Sequence, residues 1–277
     1  MLWRCGTHAF DLSDRTLVMG ILNVTPDSFS DGGRYLEPGA AIARARELLA
    51  EGADVLDIGA ESTRPGSEPV AAAEQIRRLA PVLDALADAV VSVDTANAEV
   101  AADALARGAS IVNDVTALRD PGMAAVVART GAGLVLMHMQ GSPRTMQAEP
   151  RYADVVDEVG GFLRERLAVA VAAGVAADAV ALDPGIGFGK TAQHSIELLA
   201  ATARLAAIGR PLLVGASRKR FLGHLTGEDD PGRRLEAGLA AAAIAAFEGA
   251  RILRVHDVTA TVRAARVADA VRAARGR

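Results

Sequence analysis

Short apolar runs recur along the chain, and stretches with helical spacing separate them. Runs rich in Val, Ile and Leu predict strands near 16–22, 54–59, 90–94, 110–113, 133–138, 179–183, 211–215 and 251–255, eight in all. Leu134-Val135-Leu136-Met137 and Pro211-Leu212-Leu213-Val214 are apolar on both faces, as a parallel sheet covered by helices requires. The approaches to the strands also repeat. "AEGADVLDIG", "ARGASIVND", "TGAGLVLMH", "AIGRPLLVG" and "FEGARILRV" each place a glycine where a helix should end in a left-handed turn. Strict strand–helix alternation predicts an α/β fold of the (β/α)8 TIM barrel type, with a doubly wound open sheet as the alternative. No Pro- or Ser-rich linker divides the chain. One domain is expected: a short N-terminal extension over residues 1–15, then the barrel over residues 16–277.

The polar positions cluster where the apolar runs stop. Val18-Met19-Gly20-Ile21-Leu22 gives way at Asn23 to a loop dense in hydroxyls, aspartates and glycines. The other strands end at Asp57, Asp94, Asn113–Asp114, His138, Asp183, Ser217–Lys219 and Arg254–His256. In a closed parallel barrel these ends share one rim. Any one of them serves equally well as a cap or turn former, but a polar group at nearly every strand end exceeds what capping requires. Asp94, Asp183 and Asn113 suit the amino-pyrimidinone edge of a ligand without specifying it. Arg218, Lys219 and Arg220 after strand seven, with Arg254 and His256 after strand eight, predict anion binding; a solvated basic turn remains the simpler account of Arg220.

Composition narrows the partners. A net charge of −4, with only six Phe, two Tyr and one Trp, disfavours nucleic-acid binding. The single cysteine, Cys5, excludes an intrachain disulfide and suits a reducing, cytoplasmic setting. No signal peptide is read at the N-terminus, and the apolar run Ala237 to Phe247 is too short to span a bilayer, so no membrane partner is expected. "GFGKT" at 187–191 lacks the earlier glycine of a phosphate-binding P-loop, whose place Pro184 takes. The five histidines show no paired ligand spacing for zinc, and His138 reads as a satisfied core histidine.

"GILNVTPDSFSDGG", "GAESTRPGSEPV", "SVDT", "IVND", "LMHMQGSPRTMQ", "LDPGIGFGKTAQHS", "VGASRKRFLG" and "RVHDV" together resemble the dihydropteroate synthase family of folate biosynthesis, in order and over nearly the whole chain. The resemblance implies a transferase that joins 4-aminobenzoate to 6-hydroxymethyl-7,8-dihydropterin diphosphate with help from Mg²⁺. It implies that Asp94, Asn113, Asp183 and Lys219 hold the pterin, with Met137 and Phe188 against its ring. Asn23, Arg64, Arg254 and His256 would hold the diphosphate, with Asn23 near the metal. Phe29, Thr63, Pro65, Ser217 and Lys219 would complete the aminobenzoate pocket, which sulfonamides would share, and Asp31 and Arg64 would sit on two closing loops. Asp31, Arg64, Asp94 and Lys219 are the residues this assigns to catalysis. A homodimer is also implied. Gly59-Ala60 departs from a common Gly-Gly, and 227–234 carries no assigned role. The alternatives are a corrinoid-linked methyltetrahydrofolate methyltransferase, which has no use for a diphosphate clamp, and a noncatalytic pterin-binding paralogue.

Overall fold

Alternation along each strand sorts the apolar residues into an inner and an outer cluster, and the architecture follows from the two. The structure is a computed structural model that describes residues 1–25, 38–62 and 66–275. After an N-terminal pair, β1 (Leu2–Cys5) and β2 (His8–Asp11), come β3 (Leu17–Asn23), β4 (Val55–Gly59), β5 (Val91–Asp94), β6 (Ile111–Asp114), β7 (Gly133–Met137), β8 (Val180–Asp183), β9 (Leu213–Val214) and β10 (Ile252–Val255). These last eight form one parallel sheet in the order β8-β7-β6-β5-β4-β3-β10-β9. Between β8 and β9 a single parallel bridge, Leu182 to Leu212, brings the sheet edges together. The result is the nearly closed (β/α)8 barrel that the alternation predicts. Strand β9 is shorter than the expected 211–215, because Pro211 has no N–H to give the ladder, although its carbonyl accepts from Leu182 at 2.9 Å.

The outer cluster holds Val18, Leu22, Leu56, Ile58, Val93, Val112, Leu134, Leu136, Leu182, Val214 and Leu253, packed against the surrounding helices. The inner cluster holds Leu17, Met19, Val55, Ile111, Val135, Ala181, Leu213 and Ile252. The five glycines expected at helix ends, Gly52, Gly108, Gly131, Gly209 and Gly249, all have positive φ, between 67° and 107°. They turn the chain back into a strand without a Cβ clash.

The N-terminal hairpin is an element that the sequence pattern did not suggest. Its strands are four residues each, and Trp3 and Cys5 alternate with exposed Leu2 and Arg4. Trp3, Cys5 and Leu12 are fully buried in the inner cluster, so the hairpin stoppers the N-terminal mouth of the barrel. Trp3 Nε1 donates to the Ala179 carbonyl at 2.9 Å. Burial pushes the Cys5 thiol far above its ordinary range, which leaves it unreactive. Among the described residues no helix is long and apolar enough to cross a membrane.

Trp3 gives the plug a direct test. Trp3→Ala is expected to destabilise the protein by about 3–5 kcal/mol, and Trp3→Phe by about 1–3 kcal/mol, chiefly through the stranded Ala179 carbonyl. Urea unfolding followed by circular dichroism measures both, since the only tryptophan is lost in each variant.

Candidate active site

Two residues beyond the apolar inner layer, toward the C-terminal ends of the strands, the same inward face becomes polar. Val55 is followed by Asp57, Ile111 by Asn113, Ala181 by Asp183 and Ile252 by Arg254, β5 contributes Ser92 and Asp94, and β7 alone of these stays apolar, with Val135 followed by Met137. The period of two that builds the core therefore also aims the chemistry. Register brings neighbours together: Gly59 lies beside Asp94, Asp94 beside Asn113, and Met137 beside Asp183.

Arg254 is the centre of this layer. Its Nε donates to Asp57 Oδ2 at 2.6 Å and its Nη2 to Asp94 Oδ2 at 2.7 Å. Asn113 Nδ2 donates to the same Asp57 oxygen at 3.1 Å. Asp57 is wholly buried, and Arg254 is only 17% exposed. Three acceptor atoms of this group are buried and have no partner among the described residues: Asp57 Oδ1, Asp94 Oδ1 and Asn113 Oδ1. Burial raises Asp94, Arg254 opposes the shift, and Asp57 and Glu61 add to it, leaving the carboxyl pushed up to about 7. Burial also raises Asp183, although Gly185 N–H at 2.7 Å holds it back. For Arg254 burial works against the charge, but Asp57 and Asp94 outweigh it and raise the pKa.

The ends of β9 and β10 form the second half of the site. His256 N–H donates to Ser217 Oγ at 3.2 Å, and Ser217 Oγ lies 3.1 Å from His256 Nδ1. In the tautomer with the ring proton on Nε2, the hydroxyl gives its own hydrogen to Nδ1. Burial, then Arg218 and Arg254, lower His256 to about 4, so it is a neutral donor at pH 7. Lys219 Nζ stands 3.9 Å from the centre of the Phe188 ring. Burial and the nearby Arg254 lower Lys219 to about 8. Arg218 adopts a left-handed conformation, φ 59°, which turns Ser217 and Lys219 in succession onto the rim. Its guanidinium pairs with Asp257 at 2.6 Å, and its carbonyl accepts from Arg234 at 3.1 Å.

Of the residues expected at the site, Asn23, Asp94, Asn113, Met137, Asp183, Phe188, Ser217, Lys219, Arg254 and His256 all lie at the C-terminal ends of barrel strands or in the loops that follow. Arg254 contacts the acids directly. Phe29, Asp31, Thr63, Arg64 and Pro65 lie outside the described residues. Arg220 is exposed, the solvated basic residue that the sequence allowed. Asp114, grouped with Asn113 in the sequence, instead turns into its own loop and accepts from Thr116 and Leu118. Asp57 was visible as a charge inside an apolar strand but was given no role; its partners are 56 and 197 residues away. Met139 and Met146, which pack with Met137 beside Phe188, were likewise missed, and so was buried Arg234 in the segment 227–234.

The model of the pterin binding enzyme family matches residues 19–256. A dihydropteroate synthase of Neisseria meningitidis serogroup C is 47% identical over 276 residues, covering 98% of this chain and 97% of the relative. The crystal structure of the Yersinia pestis dihydropteroate synthase with a sulfonamide drug complex superposes with a TM-score of 0.93 at 43% identity, covering 99% of this chain and 100% of that one. The Xanthomonas albilineans dihydropteroate synthase in complex with 7,8-dihydropteroate superposes with a TM-score of 0.88 at 45% identity, covering 99% of this chain and 99% of that one.

Removing Arg254 should expose how much the layer depends on it. Arg254→Ala leaves two buried carboxylates uncompensated and is expected to cost about 3–5 kcal/mol at neutral pH. A carboxyl with a raised folded pKa binds more protons folded than unfolded between about pH 4 and 7, so its contribution to stability falls as pH rises there. Protonation of Asp94 should therefore relieve the variant, making its deficit smaller at about pH 5 than at about pH 8 in urea titrations.

Proposed function

The chain belongs to the dihydropteroate synthases, a family of pterin-binding enzymes, and on that premise we propose how its rim carries the reaction. The enzyme is a transferase that condenses 6-hydroxymethyl-7,8-dihydropterin diphosphate with 4-aminobenzoate, giving 7,8-dihydropteroate and diphosphate. The observation that carries the assignment of residues is the unpaired acceptor set of the Arg254 layer. Each unpaired buried acceptor costs about 1–3 kcal/mol, which a ligand edge rich in N–H donors recovers. A pterin ring has such an edge.

In this reading Asp94 and Asn113 accept from the aminopyrimidinone side of the ring, Asp183 and Lys219 complete the pterin pocket, and Met137 and Phe188 pack on the ring. The C–O bond to diphosphate breaks, the amine nitrogen bonds to the methylene carbon, and the amine loses a proton. Positive charge spreads into the ring as the bond breaks, and the carboxylate of Asp94 stabilises it in a site shielded from water. Arg254 favours the ionised form of that carboxyl against the pull of burial. The Nε2–H of His256, oriented by Ser217, donates to the departing diphosphate. Ser217, Lys219 and Phe188 form the described wall of the aminobenzoate pocket, and Phe29, Thr63 and Pro65 complete it by resemblance.

Asn23 fits a Mg²⁺ ion held mainly by substrate. Its half-buried side chain ends β3 and hydrogen-bonds to none of the described residues, and these contain no cluster of three acidic, His or Cys ligands. Mg²⁺ is commonly held by one or two protein oxygens together with waters and substrate phosphates. When bound it neutralises diphosphate charge and eases departure of the leaving group. Homodimerisation and a cytoplasmic setting belong to the same proposal. Ile244 of α9 (Leu235–Phe247) and Val267 and Val271 of α10 (Val258–Arg275) are 49%, 65% and 52% exposed on neighbouring helices, and the lone cysteine forms no disulfide.

Diphosphate release that depends on 4-aminobenzoate tests the reaction; release that ignores the amine would overturn it. Asp94 must be ionised and Lys219 charged, so kcat/KM for the pterin substrate should be bell-shaped. It should rise up to about tenfold per pH unit below the carboxyl pKa of about 7 and fall above the ammonium pKa of about 8. A flat profile would remove both groups from the site. For the dimer, sedimentation of wild type and Val267→Glu is the check: a dimer that the charge converts to monomer supports the α9–α10 face, and an unaffected dimer places the interface elsewhere.

A further inference from the structure

Lys190 is a buried amine that the mechanism above does not use, its pKa lowered by burial to about 7 although Asp183 opposes the shift. It is 3% exposed, and none of the described carboxylates lies within ion-pairing distance. In the ammonium form its three hydrogens meet three acceptors: His138 Nδ1 at 2.9 Å, the His138 carbonyl at 3.3 Å and the Phe188 carbonyl at 2.9 Å. Burying an unpaired ammonium is costly, and here its donors span two neighbouring strand ends, after β7 and after β8. His138 is held neutral by burial and by Lys190 itself, pushed down to about 3, so Nδ1 can accept. The ring of His138 is fixed edge-on against Phe162, with centroids 4.8 Å apart.

The segment that Lys190 grips is pinned throughout. Gln147 donates to the Gly187 carbonyl at 2.7 Å and Tyr152 to the Gly189 carbonyl at 2.8 Å. Gly185 packs so tightly that a Cβ there would lie 1.9 Å from the His138 carbonyl oxygen. Between these anchors stands Phe188, whose ring receives Lys219 Nζ and packs with Met137. The Phe188 carbonyl is the point at which Lys190 acts.

We propose that Lys190, with His138 as its acceptor, is a positioning residue for the transfer reaction, holding the Phe188 ring and through it Lys219 in place at the pterin pocket. The inference rests on the function proposed above. It assigns a role to the lysine of "GFGKT" that is structural in means and catalytic in effect, with no phosphate contact.

The test compares Lys190→Met, His138→Asn and His138→Leu with wild type. Asparagine offers Oδ1 where the imidazole offers Nδ1, whereas leucine offers nothing. Lys190→Met is expected to raise KM for the pterin diphosphate substrate about tenfold or more through misplacement of the ring wall. Calorimetric affinity for inorganic diphosphate, bound at His256, should stay within about twofold. His138→Asn should retain wild-type KM, and His138→Leu should shift it as Lys190→Met does. A folded Lys190→Met with unchanged KM, equal losses for pterin and diphosphate, or a His138→Asn as impaired as His138→Leu would each overturn the proposal. If Lys190→Met does not fold, the two His138 variants decide it. A wild-type chain that neither binds pterin nor turns over overturns the functional reading and this inference with it; an active wild type with unaffected variants overturns the inference alone.

Discussion

Arg254 lies between Asp57 and Asp94 at the C-terminal mouth of the barrel, and this charged contact conditions the rest of the site. A carboxylate buried in an apolar barrel tends to take up a proton, and Asp94 is already raised to about 7 with the arginine in place. The guanidinium fork is what makes two acids tolerable there. Asp57, with no exposed surface, is committed to Arg254 and Asn113 through one oxygen. The other oxygens stay unpaired, and that is what suits the layer to a ligand with several N–H groups. Asp57 and Asp94 thus each commit one oxygen to Arg254 and keep the other without a partner among the described residues.

The barrel delivers this arrangement with little local specialisation. The strands alternate, so an apolar residue facing inward low in the barrel places a functional residue on the same face two positions later. The N-terminal hairpin fills the opposite mouth with Trp3, Cys5 and Leu12, which keeps the lower layer apolar and dry. Charge is thereby confined to one end. The loops beyond the strand ends are held by side chains that bond to backbone carbonyls. Lys190, Tyr152 and Gln147 hold the loop after β8, and Arg234 holds the turn at Arg218.

Arg254 and His256 meet different partners although only one residue separates them in sequence. Both were expected to hold diphosphate. Arg254 faces the acids and makes its hydrogen bonds there, whereas His256 is tied to Ser217 and neutral at pH 7. Two inward positions on one strand end therefore meet different environments, a carboxylate pair and a hydroxyl.

The sequence by itself determined the eight strands, the glycines that end the helices, and the set of polar residues at the strand ends. These depend on local properties: periodicity, left-handed turns and the sharp change from apolar to polar. It also carried the family, because long blocks such as "LDPGIGFGKTAQHS" are specific as written. Tertiary structure alone decided that Asp57 pairs with Arg254 and Asn113, that Asp114 turns into its own loop while its neighbour Asn113 meets Asp57, and that Lys190 spans two strand ends. It also decided that residues 2–11 form a plug, since strands of four residues leave too short a pattern to read. The Asp57 and Lys190 contacts join groups 52 to 197 residues apart in the chain. A charge, a lysine or an asparagine looks the same in sequence whether it faces solvent, substrate or a buried partner, and only the closed barrel makes that choice.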